Sequence, residues 1–191
     1  MKLSTHDLVL CALCAAVTCI LAPISIPLAG EVPISLCTFA VLLSGILLGG
    51  KLGALSQTIY VLLGSVGVPV FAGWTGGIGI TLGVTGGYII GYIFMALITG
   101  LIYYRFGRNS SGLSKYITMF ISMVLATVVL YVFGTAWFIA QTHMTLAASM
   151  AACVIPFLPG DLLKIVAVML VAPPIEAALK RAVPASQGAL S

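Results

Sequence analysis

The chain has 191 residues, of which 61% are hydrophobic and only 6% are charged. Soluble domains carry about 25% charged residues, so this composition excludes a soluble globular protein, and the few charges also exclude a disordered, solvated chain. The formal net charge is +4, but the basic residues are scattered between apolar runs, which argues against a nucleic-acid partner. We therefore expect an integral membrane protein with the lipid bilayer as its solvent.

The apolar runs predict an all-α polytopic protein with six transmembrane helices and glycine-rich outer loops, forming a single domain over residues 1–191. A span needs about 20 residues, so the chain has room for six spans but not for a soluble catalytic or ATP-hydrolysing domain. The first run resembles a signal peptide, but the rest of the chain is equally apolar, so we expect that helix to be retained. The predicted helices cover residues 8–22, 34–48, 52–66, 86–104, 117–140 and 161–179.

The positions of the basic residues predict the orientation of the six helices. Seven of the eight Lys and Arg residues fall on one side of the predicted bundle, and only Lys164 falls on the other. Because basic residues are concentrated in cytoplasmic loops, the sequence predicts a multi-pass protein of the cell membrane with both termini in the cytoplasm.

A long segment without any charged residue lies between Lys51 and Arg105, and its middle is too rich in Gly and Pro to be a helix. Irregular backbone at membrane depth is tolerated only when it is buried in protein or faces a cavity. Aromatic faces and bare backbone amides suit a flat small molecule with few polar atoms, although tight turning alone explains some of the glycines. The candidate ligand contacts are Phe71, Gly73, Trp74, Gly76, Gly77, Thr85, Gly86, Gly87 and Tyr88.

Asp161 and Lys164 lie one turn apart at the start of the last predicted helix. A lysine near membrane depth costs about 2.5 to 3.5 kcal/mol on insertion scales, so a compensating group is expected. In the simplest interpretation, Asp161 complements the helix dipole and Lys164 is its i,i+3 partner. Because glycine-rich loops lie on the same predicted outer side, we favour a polar ligand site that contains both residues.

Other polar residues give no sign of metal or covalent chemistry. His6 and His143 are far apart and have no carboxylate at ligand spacing, so we expect no metal site. Ser56 and Gln57 have no histidine base nearby, and we interpret them as formers of interhelical hydrogen bonds. We expect neither an enzyme nor a bound cofactor.

Several small or paired residues are interpreted as helix contacts. Ala12 and Ala16 give the first helix a small-xxx-small face, which serves either close packing within the chain or, if it points outward, docking to another membrane subunit. Glu176 is interpreted as an i,i+4 surface partner of Lys180. Glycines at four-residue spacing are interpreted as helix packing surfaces, and they are Gly45, Gly49, Gly53, Gly83, Gly87 and Gly91.

Two motifs resemble the signatures of the BioY family, the biotin-binding S components of energy-coupling factor (ECF) transporters. The first motif is GVPVFAG at residues 67–73, continuing to TGGYIIG at residues 85–91, and the second is PGDLLK at residues 159–164. The likeness extends over nearly the whole chain, to about Arg181. Val84 replaces a proline that many relatives have, and Cys37 stands where a glutamine is common.

The resemblance implies a six-helix membrane protein that captures biotin from outside and delivers it with a transmembrane T component and two cytoplasmic ATPase subunits. It assigns Ala12 and Ala16 to the contact with the T component. It places the biotin pocket between the loop after the third helix and the start of the last helix. Phe71, Trp74 and Tyr88 are then suitable walls for the ring system.

The resemblance leaves two poses for the polar pair. Asp161 and Lys164 together can serve the N–H and C=O groups of the ureido ring, or Lys164 can pair with the valerate carboxylate. Three alternatives to the biotin hypothesis also remain. They are an S-type subunit for another biotin-like ligand, a membrane enzyme that uses Asp161 and Lys164 as acid and base, and a structural protein in which the pair fixes helix register.

Overall fold

The computed structural model describes residues 4–26 and 34–182, and these residues form a helical bundle. The first half begins with α1 and a small hairpin of two-residue antiparallel strands, followed by two helices joined at a single glycine turn. These elements are α1 (Thr5–Leu21), β1 (Ser25–Ile26), β2 (Ile34–Ser35), α2 (Cys37–Leu48) and α3 (Gly50–Ser65).

The second half contains the longest helices of the described chain. A 3-10 turn at Ala72–Trp74 precedes α4, a π-helical turn at Tyr103–Gly107 ends α5, and a second 3-10 turn at Ile155–Phe157 leads into the last helix. The helices are α4 (Ile78–Thr81), α5 (Gly86–Ile102), α6 (Gly112–Thr142), α7 (Leu146–Cys153) and α8 (Leu158–Ala182).

Three helical segments are long and apolar enough to cross a membrane, namely Gly86–Gly107, Gly112–Thr142 and Leu146–Leu179. α1 and α2 are apolar but shorter. The predicted all-α membrane protein is confirmed, whereas the count of six spans stays a prediction. α2 begins at Cys37 rather than at residue 34, because residues 34 and 35 pair with β1 and the Ser35 hydroxyl accepts a hydrogen bond from the Cys37 N–H at 3.2 Å.

Helix packing in the interior depends on glycine, as predicted. A methyl group at Gly53 would lie 3.2 Å from the Gly45 Cα, and one at Gly45 would lie 2.8 Å from the Ala96 carbonyl oxygen. At Gly91 the added methyl would lie 2.6 Å from the Leu130 side chain. Gly53 therefore allows α3 to approach α2 closely, and Gly45 and Gly91 allow α5 to approach α2 and α6, so the interpretation of these three positions as packing surfaces is confirmed.

A buried glutamine joins the first three helices. The Gln57 Nε2 donates to the hydroxyls of Thr18 at 3.2 Å and Ser44 at 3.0 Å. Both hydroxyls donate to backbone carbonyls, of Cys14 and Val41, so each is available as an acceptor for Gln57. The predicted interhelical role of Gln57 is confirmed, whereas the same prediction for Ser56 is wrong, because its buried hydroxyl has no hydrogen-bond partner in the described part of the chain.

The prediction that Glu176 lies on the surface is wrong, whereas its predicted partner, the side chain of Lys180, lies outside the described part of the chain. Glu176 is only 7% exposed, because α8 passes over the π-helical turn that ends α5 and the beginning of α6. Its Oε2 accepts from Lys115 Nζ at 2.7 Å and from the Tyr103 hydroxyl at 3.0 Å. Glu176 is therefore a buried link between three helices and not a surface residue.

Candidate ligand-binding site

A cavity of about 340 Å³ opens between the beginnings of α2 and α5, the end of α3 and the segment between α3 and α5. Its lining is mostly apolar and aromatic with a few hydroxyl groups, which is typical of sites for small, largely apolar molecules. The lining residues are Ser35, Cys37, Tyr60, Phe71, Ala72, Thr75, Gly79, Ile80, Gly83, Val84, Thr85, Tyr88, Ile89 and Tyr92.

Aromatic rings form one wall of the cavity. Phe71 contacts Tyr60 edge-on, with ring centroids 5.7 Å apart, and Tyr60 lies 6.5 Å from Tyr92. The Phe71 ring fills the space beside Gly64, where any side chain would collide with it. The Cys37 thiol donates to the Tyr60 hydroxyl at 3.8 Å. This network holds the rings in fixed orientations for contact with an apolar ligand.

The segment after Phe71 is a tight turn with unusual backbone angles. Gly73 and Trp74 have φ of 68° and 60°, and Gly77 has φ of 107°. Positive φ angles favour glycine, so the φ of a bulky residue such as Trp74 is a true outlier. The turn is closed by a hydrogen bond from the Phe71 N–H to the Thr75 carbonyl at 2.9 Å. Trp74 is 67% exposed and does not line the cavity.

The glycines before Tyr88 serve close packing. A side chain at Gly86 would collide with the Thr81 carbonyl oxygen, and one at Gly87 would collide with Trp137. The Trp137 indole N–H donates to the Gly83 carbonyl at 2.9 Å, which holds part of the cavity wall against α6. The two glycines therefore let Trp137 reach the wall.

Of the predicted loop contacts, Phe71, Thr85 and Tyr88 line the cavity. The remaining loop residues lie outside its lining, and their contact with a ligand stays a prediction; they are Gly73, Trp74, Gly76, Gly77, Gly86 and Gly87. Sequence reasoning missed Tyr60 and Tyr92. Tyr92 follows Tyr88 by four residues, so the helical spacing already placed both on one face of α5.

Asp161 and Lys164 form a buried ion pair, with 6% and 9% of their surfaces exposed. Lys164 Nζ lies 2.9 Å from Asp161 Oδ1 and donates to the Thr38 hydroxyl at 2.9 Å. Thr38 in turn donates to Asp161 Oδ1 at 3.2 Å, and the Tyr131 hydroxyl donates to Oδ2. The predicted i,i+3 pairing is confirmed, and α8 is tied through it to α2 and α6.

The polar cluster of Thr38, Tyr131, Asp161 and Lys164 lies beside the cavity and not in its lining. Cys37 lines the cavity, and the next residue, Thr38, bonds to both charged groups. The cluster and the cavity thus meet at the first turn of α2. Among the residues that the structure describes, no three His, Cys, Asp or Glu side chains gather as metal ligands would.

The small-residue face of α1 points outward. Ala12 and Ala16 are exposed, whereas Ala15 between them is buried. Val9 and Ile20 continue the same exposed apolar strip. Ala12 and Ala16 therefore do not pack against other described parts of the chain. The prediction of close packing within the chain is wrong for these two residues.

The model of the BioY family matches residues 1–181. The chain belongs to the BioY family. It is 37% identical over 170 residues to a protein of Pyrococcus horikoshii named "Probable biotin transporter BioY", which covers 89% of this chain and 96% of that relative. It is also 38% identical over 173 residues to "Biotin transporter BioY" of Rhizobium etli, which covers 86% of this chain and 89% of the relative.

A solved structure supports the same family and fold. The crystal structure at 2.1 Å of the S-component for biotin from an ECF-type ABC transporter matches with a TM-score of 0.84 and 25% sequence identity. The match covers 92% of this chain and 95% of that chain. The family resemblance expected from the two motifs is confirmed.

Proposed function

We propose that this protein is the biotin-binding S component of an ECF transporter and that it acts as a transport subunit, not as an enzyme. The relatives are named biotin transporters, and the matching crystal structure is an S-component for biotin. One observation within this chain carries the proposal. A buried carboxylate and ammonium pair lies next to an aromatic cavity of about 340 Å³.

The cavity matches the apolar part of biotin. Biotin has a compact bicyclic ring with a thioether and an aliphatic valerate chain, and both bury well against aromatic side chains. Phe71, Tyr60 and Tyr92 supply those faces, and Thr85 adds a hydroxyl group, whereas the Tyr88 hydroxyl is bonded to Thr135 and to the Cys153 carbonyl. The volume lies at the lower end of the range of about 300 to 1,000 Å³ for small-molecule pockets, which suits a ligand of this size.

The hydrogen bonds of the polar cluster favour one of the two poses. Lys164 uses two of its three N–H donors, on Asp161 and Thr38. Asp161 accepts three hydrogen bonds, and a carboxylate has about four acceptor positions. The cluster therefore retains one donor and one acceptor.

A ureido edge uses both remaining groups, since it offers a C=O acceptor and an N–H donor side by side. The valerate carboxylate offers acceptors only and would lie close to the negative charge of Asp161. We therefore place the ureido ring toward Asp161 and Lys164 and the valerate chain toward the glycine-rich outer segment. Because Cys37 stands between cavity and cluster, we also propose that its side chain shifts when the ligand binds.

The outward face of α1 supports a membrane partner. Ala12 and Ala16 are small and exposed, which lets another helix approach the α1 backbone closely. We propose that this face meets the T component and that two cytoplasmic ATPase subunits complete the transporter. The proposed orientation puts both termini in the cytoplasm and the ligand cavity on the outer side of the cell membrane.

The test is equilibrium binding of radiolabelled biotin to the purified full chain in nanodiscs. We expect saturable, stoichiometric binding that Asp161→Asn and Lys164→Met weaken, while the control Glu176→Gln at the other end of α8 keeps its affinity. 2-Iminobiotin, which changes the ureido group, should lose more affinity than biotin methyl ester, which keeps the ureido group and replaces the carboxylate by an uncharged ester. Absence of binding by folded protein would reject the biotin assignment, and the reverse order of the two analogues would reject the pose.

A further inference from the structure

One buried hydroxyl group in the cavity wall has a hydrogen atom without an acceptor. Tyr60 lies on α3, is only 1% exposed and lines the cavity. Its hydroxyl oxygen accepts from the Cys37 thiol at 3.8 Å, and no described residue accepts the hydrogen of that hydroxyl. A phenol hydroxyl can both accept and donate, so its donor capacity is unused. A buried donor without an acceptor is unfavourable, because it has lost water as a partner.

Other tyrosines inside the bundle use their hydroxyl hydrogens. In four of them the hydroxyl donates to an acceptor on another helix, and these are Tyr88, Tyr103, Tyr104 and Tyr131. Those hydroxyls join helices to one another. The Tyr60 hydroxyl differs from these four, because its remaining donor belongs to a wall that faces open space. A molecule inside the cavity can therefore supply the missing acceptor.

The position of Tyr60 determines which part of the ligand reaches it, and here the inference rests on the proposed function. In the proposed pose the ureido ring reaches Asp161 and Lys164 past Cys37. The second ring of biotin is fused to the ureido ring and carries the sulfur atom on the side away from the ureido carbonyl. Because the Cys37 thiol bonds to the Tyr60 hydroxyl, the second ring lies beside both residues. The sulfur atom is therefore the ligand atom nearest to the unused donor.

The oxidation state of the sulfur decides how well it uses this donor. A thioether sulfur is only a weak acceptor, so biotin itself satisfies the Tyr60 hydroxyl poorly. A sulfoxide carries one added oxygen on the sulfur, and the polarised S–O bond makes that oxygen a strong acceptor. Against a wall without a donor, burial of this oxygen would weaken binding about 5- to 150-fold. A donor placed at the sulfur removes that loss.

We propose that the site also binds the S-oxide of biotin, with the Tyr60 hydroxyl donating to the sulfoxide oxygen. Tyr60 is then the residue that lets the site accept oxidised as well as reduced sulfur. The hydroxyl has a fixed place in the wall, because Cys37 bonds to it and Phe71 contacts the ring edge-on with centroids 5.7 Å apart. A sulfoxide has two epimers whose oxygens point to opposite sides of the ring. Only one epimer can therefore reach the Tyr60 hydroxyl.

The experiment measures competition of the two separated sulfoxide epimers with radiolabelled biotin on the purified full chain in nanodiscs. We expect one epimer to bind within about fivefold of biotin and the other to bind at least about tenfold more weakly. Tyr60→Phe should weaken the favoured epimer at least about tenfold and change biotin affinity by less than about threefold. The matched control is Tyr116→Phe, which removes a hydroxyl from an exposed residue beside Lys115 at the other end of the bundle and should change neither affinity.

The alternative outcomes contradict the inference in different ways. Equal affinities of the two epimers would show that no fixed donor faces the sulfur. A loss of the favoured epimer in Ser35→Ala but not in Tyr60→Phe would reassign the donor to Ser35, which also lines the cavity. Normal biotin binding without binding of either sulfoxide would reject this inference and leave the proposed function intact, whereas absence of biotin binding by folded protein would reject both. Retained biotin binding establishes that each variant is folded.

Discussion

The two ends of α8 contain nearly the same chemical groups in different surroundings. Each end has a buried carboxylate that accepts from a lysine and from a tyrosine of a neighbouring segment. Following the proposed orientation, we name the cluster beside the cavity the outer cluster; it contains Asp161, Lys164, Tyr131 and Thr38. We name the cluster at the other end of α8 the inner cluster; it contains Glu176, Lys115 and Tyr103.

The difference lies in what adjoins each cluster. In the outer cluster, Lys164 lies one helical turn from Asp161, so this ion pair forms within α8 alone. The cluster adjoins the aromatic cavity at Cys37 and Thr38. In the inner cluster, Glu176 of α8 pairs with Lys115 of α6, so the ion pair itself joins these two helices. We propose that similar ion pairs serve ligand recognition at one end of α8 and helix assembly at the other, and our predictions can separate these two roles.

The largest expected effect is that of Asp161→Asn on biotin affinity. The substitution removes the negative charge that accepts from the ligand in the proposed pose, and hydrogen bonds to charged groups contribute about 1.5 to 3 kcal/mol each. It also leaves Lys164 buried without its counter-charge. We expect biotin affinity to fall at least about 100-fold in equilibrium binding.

The inner cluster supplies the control for that experiment. Glu176→Gln makes the same chemical change on the same helix, yet biotin affinity should stay within about twofold of the wild type, well below one tenfold step of 1.4 kcal/mol. If Glu176→Gln weakened biotin binding as strongly as Asp161→Asn, the two ends of α8 would not be separate in function, and the comparison would fail.

The second-largest effect is on stability, and here the substitution at the inner end of α8 should have the larger effect. Glu176→Gln leaves Lys115 without its partner and loosens the junction of α5, α6 and α8. Breaking a buried pair costs about 3 to 5 kcal/mol, but the Lys115 side chain is 20% exposed, so we expect a smaller loss of about 1 to 3 kcal/mol. The thermal unfolding midpoint in detergent should fall. The exchanged pair Lys115→Glu with Glu176→Lys should recover part of the loss, and no recovery would argue against a direct pairing.

Local features of the fold could be predicted from the sequence. The apolar runs predicted the helices, and the i,i+3 spacing predicted the Asp161–Lys164 pair, because both depend on residues close together in the chain. The start of α2 was misplaced by three residues, since the pairing of residues 34 and 35 with β1 depends on the hairpin. Spacing within a helix carries no information about that pairing.

The contacts that the sequence did not reveal are all long-range. Thr38 and Tyr131 reach Asp161 across 123 and 30 residues, and Lys115 reaches Glu176 across 61. Glu176 was assigned to the surface because a lysine four residues away offered a plausible local partner. Glu176 is buried only because α8 packs on α5 and α6. The residue pattern of α8 alone does not show which helices pack against it.

The third effect compares the tyrosines of the two clusters. Tyr131→Phe and Tyr103→Phe each remove one hydroxyl that donates to a carboxylate and leave the ring in place. We expect Tyr131→Phe to weaken biotin binding about 3- to 10-fold, because Asp161 is then less firmly positioned, at about 1 kcal/mol for the lost bond. Tyr103→Phe should lower the unfolding midpoint without changing biotin affinity. Equal effects of both variants on affinity would contradict separate roles.

The smallest effect is expected within the outer end itself, at Trp74. The family motif suggested its ring as a wall of the site, but the ring is 67% exposed and lies outside the cavity lining. Trp74→Ala keeps an L-residue at φ near 60°, so the backbone constraint of the turn is unchanged and only the ring is removed. Biotin affinity should change by less than about threefold, whereas Phe71→Leu, in the wall, should change it by more. A loss above about tenfold in Trp74→Ala would mean that the turn moves inward over the bound ligand, so that the outer end changes shape on binding while the inner end does not.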